Sequence, residues 1–196
     1  MQPIGIFDSG VGGLGIFKAV AQLLPGQDIV YVADNAHFPF GQKTAEQLQQ
    51  ITAKIVHFLI EKKNVKLVIV ACNTASVSSL EYLRKKFTVP IVGVVPVVKP
   101  ACEQSKVKRV AILATAATTQ STYQQELIEK YGSGVQVFTI ACPGLVTQVE
   151  TGDLDSDKTK QLLQQYLQPA LDAGVDVIGL SCTHFPFLIE AIKKVA

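Results

Sequence analysis

One pattern constrains this chain more than any other: short runs of β-branched and apolar residues alternate with stretches of helical periodicity from end to end. Strands joined through helices must run parallel, so the pattern specifies an α/β fold of βαβ units. The runs predict strands at about 3–8, 28–33, 66–71, 90–95, 108–114, 135–140 and 175–181. Helices are expected at about 13–24, 44–63, 75–87, 97–105, 118–131, 144–151 and 156–173. The sequence T-A-E-Q at Thr44 offers a capping box with Gln47, which fixes one helix start.

The strands also repeat. IGIFDS (4–9) aligns with VAILAT (110–115), and IVYVADNA (29–36) with VQVFTIAC (135–142), both at an offset of 106. KLVIVACNT (66–74) matches DVIGLSCTH (176–184) at an offset of 110, which sets Cys72 against Cys182 and Asn73-Thr74 against Thr183-His184. Two pseudo-symmetric lobes are therefore expected, 1–96 and 97–196, each a mainly parallel sheet flanked by helices. Open α/β sheets bind ligands beyond the carboxyl ends of their strands, so an active site is expected in a crevice between the lobes. The first lobe follows its cysteine and helix with a further strand at 90–96, whose counterpart would begin near 201, beyond Ala196. The reading therefore expects a last layer to be missing.

Composition excludes several classes. Eighteen Lys and Arg against sixteen Asp and Glu leave a formal charge of +2, and 48% of residues are apolar, enough for a packed core and too many for disorder. The longest apolar stretches, 67–72 and 91–98, fall far short of the ~20 residues of a membrane span, and the N-terminus carries no leader pattern; a cytoplasmic protein is expected. The basic clusters 84–86 and 106–109 are short and lack interleaved aromatics, which argues against a nucleic-acid partner.

Cys72, Cys102, Cys142 and Cys182 lie 30, 40 and 40 residues apart, so no pair has zinc or redox spacing. Cys72 and Cys182 each stand at a strand end before a helix, where the helix dipole favours a thiolate. A buried inert cysteine is the ordinary alternative for either alone; matched places in both lobes favour chemistry. Cys102 and Cys142 are expected to be structural, and His37 and His57 packing or surface residues. Gly10, Gly12 and Gly15 spell G-x-G-x-x-G, with Asp34 19 residues beyond. Asp8 and Ser9 intervene after the strand, and a carboxylate there opposes a pyrophosphate; the pattern more readily forms a tight turn in which Asp8 and Ser9 hold a small zwitterion. Asp153, Asp155 and Asp157 alternate as in a calcium loop but lack its glycine and closing glutamate.

Six segments, DSGVGGLGI, ADNAHFPFG, ACNTAS, GVVPVVKPA, CPGLVTQVE and LSCTHFP, together resemble the glutamate racemases of the aspartate/glutamate racemase superfamily. The resemblance implies two α/β lobes and cofactor-free interconversion of L- and D-glutamate for peptidoglycan, usually by a homodimer. It implies that Cys72 acts on the D-enantiomer and Cys182 on the L-enantiomer, that Asp8 and His184 assist them, and that Glu150 is a further acidic position. Ser9, Phe40, Gly41, Asn73, Thr74 and Thr183, with Asp8 and His184, would hold the substrate. Phe40 replaces the family's tyrosine, so weaker glutamate binding is expected. Ser181 replaces its usual glycine and is expected to crowd the strand end. In the family a C-terminal segment completes the first lobe. Racemisation of aspartate or another small amino acid, or an inactive binding protein, are the alternative readings.

Overall fold

The structure is a computed structural model that describes residues 1–196. The chain divides into two compact units, Met1–Val95 and Pro96–Ala196. Unit 1 holds β1 (Ile4–Asp8), α1 (Leu14–Leu23), β2 (Ile29–Ala33), α2 (Ala45–Lys63), β3 (Leu67–Val70), α3 (Asn73–Lys86) and β4 (Ile91–Gly93). Unit 2 holds α4 (Val98–Gln104), β5 (Arg109–Ala114), α5 (Ala116–Thr119), α6 (Thr122–Tyr131), β6 (Gln136–Ala141), α7 (Leu145–Glu150), α8 (Asp157–Asp172), β7 (Val177–Leu180) and α9 (Ile189–Val195).

Every strand pairing is parallel, in the order β2-β1-β3-β4 in one sheet and β6-β5-β7 in the other. The repeat seen in the sequence is thus a repeat of topology: β1, β2 and β3 correspond to β5, β6 and β7. In both sheets the first strand of the unit is central and buried, and β1 reads as five buried residues in a row, as a strand covered on both faces should. Its side chains divide by the two-residue period. Ile4 and Ile6 pack with Ile16, Phe17 and Val20 of α1, while Phe7 joins a cluster with Leu48, Val56 and Leu59 of α2 and Leu83 of α3. A Cβ at Gly5 would stand 3.0 Å from Leu59 Cδ1, so this glycine lets α2 close on the sheet.

All seven expected strands are present, but two helices differ. The expected 118–131 helix is two: Thr115 caps α5 and Ser121 caps α6, each accepting from the amide three residues on, and two adjacent caps break one helix into two. The start of α3 moves from 75 to Asn73, because Cys72 itself takes the N-cap position. Helix α2 begins where expected, with both hydrogen bonds of the capping box formed between Thr44 and Gln47. Thr44→Ala removes one of them and should cost about 1 kcal/mol. Thermal denaturation should report a melting temperature about 2–4 °C lower.

Candidate functional site

Two candidate sites can be built, one in each unit, both at the carboxyl ends of strands. In unit 1, β1 ends at the fully buried Asp8 and the neighbouring β3 leads to Cys72, with Ala71 N–H donating to Phe7 O at 2.8 Å. The Asp8 carboxylate accepts a hydrogen bond from the Gly13 amide at 2.8 Å, at the N-cap of α1. That is the purpose of the glycine-rich turn: a Cβ on Gly13 would lie 2.8 Å from the Tyr31 hydroxyl, 2.9 Å from Asp8 Cβ and 3.1 Å from Ala71 Cβ. The Asp8 carboxyl already occupies the helix start that a pyrophosphate would need, which opposes a dinucleotide there.

Cys72 is 5% exposed and is the N-cap of the fourteen-residue α3, without acidic residues in the first turn and with Arg84, Lys85 and Lys86 in the last. Asn73 and Thr74, both buried, form that first turn. The positive end of the helix dipole there favours an anion, whether the thiolate itself or a ligand carboxylate. Ser9 is buried next to Asp8. Phe40 and Gly41 lie in a short 3-10 turn, and the Phe40 ring is packed in the same core cluster as Cys72 and Ala75. His37 is instead paired with Asp34 at 2.8 Å and nearly half exposed, and His57 lies exposed on α2.

In unit 2, Ser181 N–H still donates to Leu113 O at 2.8 Å, so Cys182 follows immediately on the strand ladder. His184, 2% exposed, sets Nδ1 3.9 Å from Cys182 Sγ and Nε2 2.6 Å from Glu150 Oε1. The ring thus spans the two groups, with Nε2 on the carboxylate and Nδ1 facing the thiol. Gly144, at φ 86°, makes the turn that starts α7, and α7 in turn ends at Glu150. Thr183 Oγ1 is buried with no hydrogen-bond partner in the protein, a state that a bound polar ligand relieves. Thr115 stands at the end of the central β5, where Ser9 stands after β1, and holds Thr118 through its N-cap. Sequence reasoning passed over Thr115, although the offset of 106 pairs it with Ser9.

The other candidates have local tasks. Asp153 caps Ser156 with both carboxylate oxygens, and Asp155 pairs with Lys160 and Lys194. Cys102 packs among Val98, Ala101, Val110 and Ile112, where burial raises its pKa. Burial pushes the Cys142 thiol up to about 12.

Residues 14–196 match the family described as Asp/Glu/Hydantoin racemase. A glutamate racemase from a Roseiflexus species is 45% identical over 196 residues, covering all of this chain and 72% of the relative. Among solved structures, Escherichia coli glutamate racemase, in complex with L-glutamate and the activator UDP-MurNAc-Ala, has a TM-score of 0.91 at 36% identity, covering all of this chain and 75% of that one. Glutamate racemase from Francisella tularensis, in complex with D-glutamate, gives 0.85 at 31% identity, covering all of this chain and 73% of that one. Fold and sites of this kind define an amino-acid racemase, an isomerase. The chain belongs to the Asp/Glu racemase family, and its likeness to the glutamate racemases of that family runs its whole length.

The four thiols should divide chemically. A thiol with a pKa of 9.0 is half ionised at pH 9, whereas Cys142, at about 12, is ionised about once in a thousand. Iodoacetamide at pH 9 should label Cys142 at least about a hundredfold more slowly than an unfolded cysteine. Its rate should rise about tenfold per pH unit up to pH 11, while that of the unfolded chain levels off.

Proposed function

We propose that the chain interconverts L-glutamate and D-glutamate without a cofactor, using Cys72 and Cys182 as its two acid/bases. The observation that carries the reading is the equivalence of the two cysteines: each follows the third strand of its unit, at the start of a helical segment, with polar residues directly after it. The ligands named for the Escherichia coli and Francisella tularensis enzymes, L- and D-glutamate, support glutamate as the substrate.

Inverting a stereocentre by proton exchange needs a base on one face of the carbon and an acid on the other. One cysteine thiolate takes the α-proton, forming S–H as the C–H bond breaks, and the electron pair left on the carbon delocalises into the substrate carboxylate. The second thiol then gives its proton to the opposite face. The product leaves the two sulfurs with their protonation states exchanged, ready for the reverse reaction. An α-proton is weakly acidic, so donors at the substrate carboxylate carry much of the barrier reduction. In this reading the amides at the start of α3, with Ser9, Asn73, Thr74 and Thr183, supply those donors, and Gly41 and Phe40 line the site.

Asp8 assists Cys72 when D-glutamate is the substrate. His184, held by Glu150, assists Cys182 when L-glutamate is. The D-glutamate formed goes to cytoplasmic assembly of peptidoglycan, and the working form is a homodimer.

In deuterated water, L-glutamate should become D-glutamate labelled at Cα. Cys72→Ser and Cys182→Ser should each lower that turnover by about a hundredfold or more. Undiminished turnover in both variants would overturn the reading.

A further inference from the structure

We propose that Ser181 is a positioning residue for Cys182, locking the strand end that bears the thiol to the segment through which the chain enters unit 2. Ser181 is fully buried, and its Oγ accepts a hydrogen bond from the Val97 amide at 3.0 Å. Val97 is the N-cap of α4 and the second residue of unit 2. Instead of crowding the strand end, the hydroxyl takes up an amide that α4 cannot satisfy within itself.

The lock belongs to a larger clamp. On the same face of β7, a Cβ at Gly179 would lie 3.0 Å from Val97 Cγ2 and 3.5 Å from Ala101 Cβ, so the absent side chain lets α4 sit against the strand. Val177 packs against the cluster that Val98, Ala101 and Cys102 form with Val110 and Ile112. At the other end of α4, Asp176 accepts from Ser105 Oγ at 2.6 Å, from the Lys106 amide at 2.7 Å and from the Val107 amide at 3.1 Å. These bonds, with that of Ser105 foremost, hold the Asp176 carboxyl below its ordinary range. Residues 177, 179 and 181 thus meet α4 in turn, and both ends of the helix are tied to the β7 segment.

The contact with consequence is the one nearest the chemistry. Ser181 precedes Cys182 directly, so its hydrogen bond fixes the backbone from which the thiol projects and, with it, the 3.9 Å approach of Sγ to His184 Nδ1. Unit 1 lacks the device: the residue equivalent to Ser181 is Ala71, which has no hydroxyl. Cys72 takes its place from the N-cap of a long helix, whereas Cys182 precedes a 3-10 turn, Phe185–Leu188, and needs another anchor.

The inference rests on the reading of Cys182 as an acid/base, yet its test does not require turnover. The intact chain is alkylated with iodoacetamide from pH 6 to 9, and the rates at Cys72 and Cys182 are read by mass spectrometry of their peptides. Ser181→Ala, close in size and free of the hydroxyl, should change the Cys182 rate by about 2–10-fold in either direction, the range a single hydrogen bond supplies, with the Cys72 rate unchanged. Ser105→Ala breaks the far end of the clamp and serves as the control for general loosening; it should leave the ratio of the two rates as it was. An unchanged ratio in Ser181→Ala, an equal change at both thiols, or as large a change in Ser105→Ala would overturn the proposal. Absence of deuterium exchange in the unmodified chain would instead sink the racemisation reading while leaving the thiol ratio measurable.

Discussion

Parallel strand pairing is the constraint from which the rest follows. When every strand in a sheet points the same way, each connection must return along a face of the sheet, and all the carboxyl ends collect on one edge. In unit 1 that edge holds the end of β1 at Asp8 and, beside it, the end of β3 before Cys72. In unit 2 it holds Thr115 after β5 and Cys182 after β7. Helix starts gather on the same edge, because each helix begins where a strand stops. Acidic, thiol and hydroxyl groups therefore gather beside helix N-termini.

Burial then separates residues that look alike in the sequence. All four cysteines are buried, yet their settings differ. Cys102 is enclosed by aliphatic side chains of unit 2, and Cys142 offers its Sγ to the Ile140 carbonyl at 3.5 Å. For both, burial favours the neutral thiol. Cys182 has an imidazole within reach, and Cys72 has a helix start. Carboxylates divide in the same way: the buried Asp8 is tied to a helix amide and the partly buried Glu150 to an imidazole, while Asp153 and the exposed Asp155 serve caps and surface pairs.

The sequence made the strands, their parallel sense and the internal repeat legible because hydrophobic periodicity is a local signal that the packed sheet obeys. It also made Cys72 and Cys182 conspicuous, since the repeat set them in register. Three things were beyond it. The break between α5 and α6 depends on two competing caps, Thr115 and Ser121, that periodicity does not weigh. The bond between Glu150 and His184 joins residues 34 apart, and no local pattern distinguishes Glu150 from a solvated carboxylate at a helix end. Ser181 reads as a minor departure until α4 is seen lying against β7, with the Val97 amide directed at its hydroxyl. In the first case the missing information was local cap chemistry, and in the other two it was tertiary.

The two candidate sites share a backbone plan but differ in how they treat sulfur. Cys72 caps a helix of fourteen residues, long enough for its aligned peptide dipoles to place partial positive charge at the thiol. Cys182 leads into a four-residue 3-10 turn before the seven-residue α9, a much weaker and less aligned source of the same field. There the side chains of His184 and Glu150 stand beside the sulfur instead, with Nε2 on the Glu150 carboxylate and Nδ1 facing Sγ. A field from a helix acts without moving a proton, whereas an imidazole can accept one and return it. The equivalence of the two cysteines is therefore one of position, and their settings are not interchangeable: a long helix start surrounds Cys72, an imidazole held by a carboxylate stands beside Cys182.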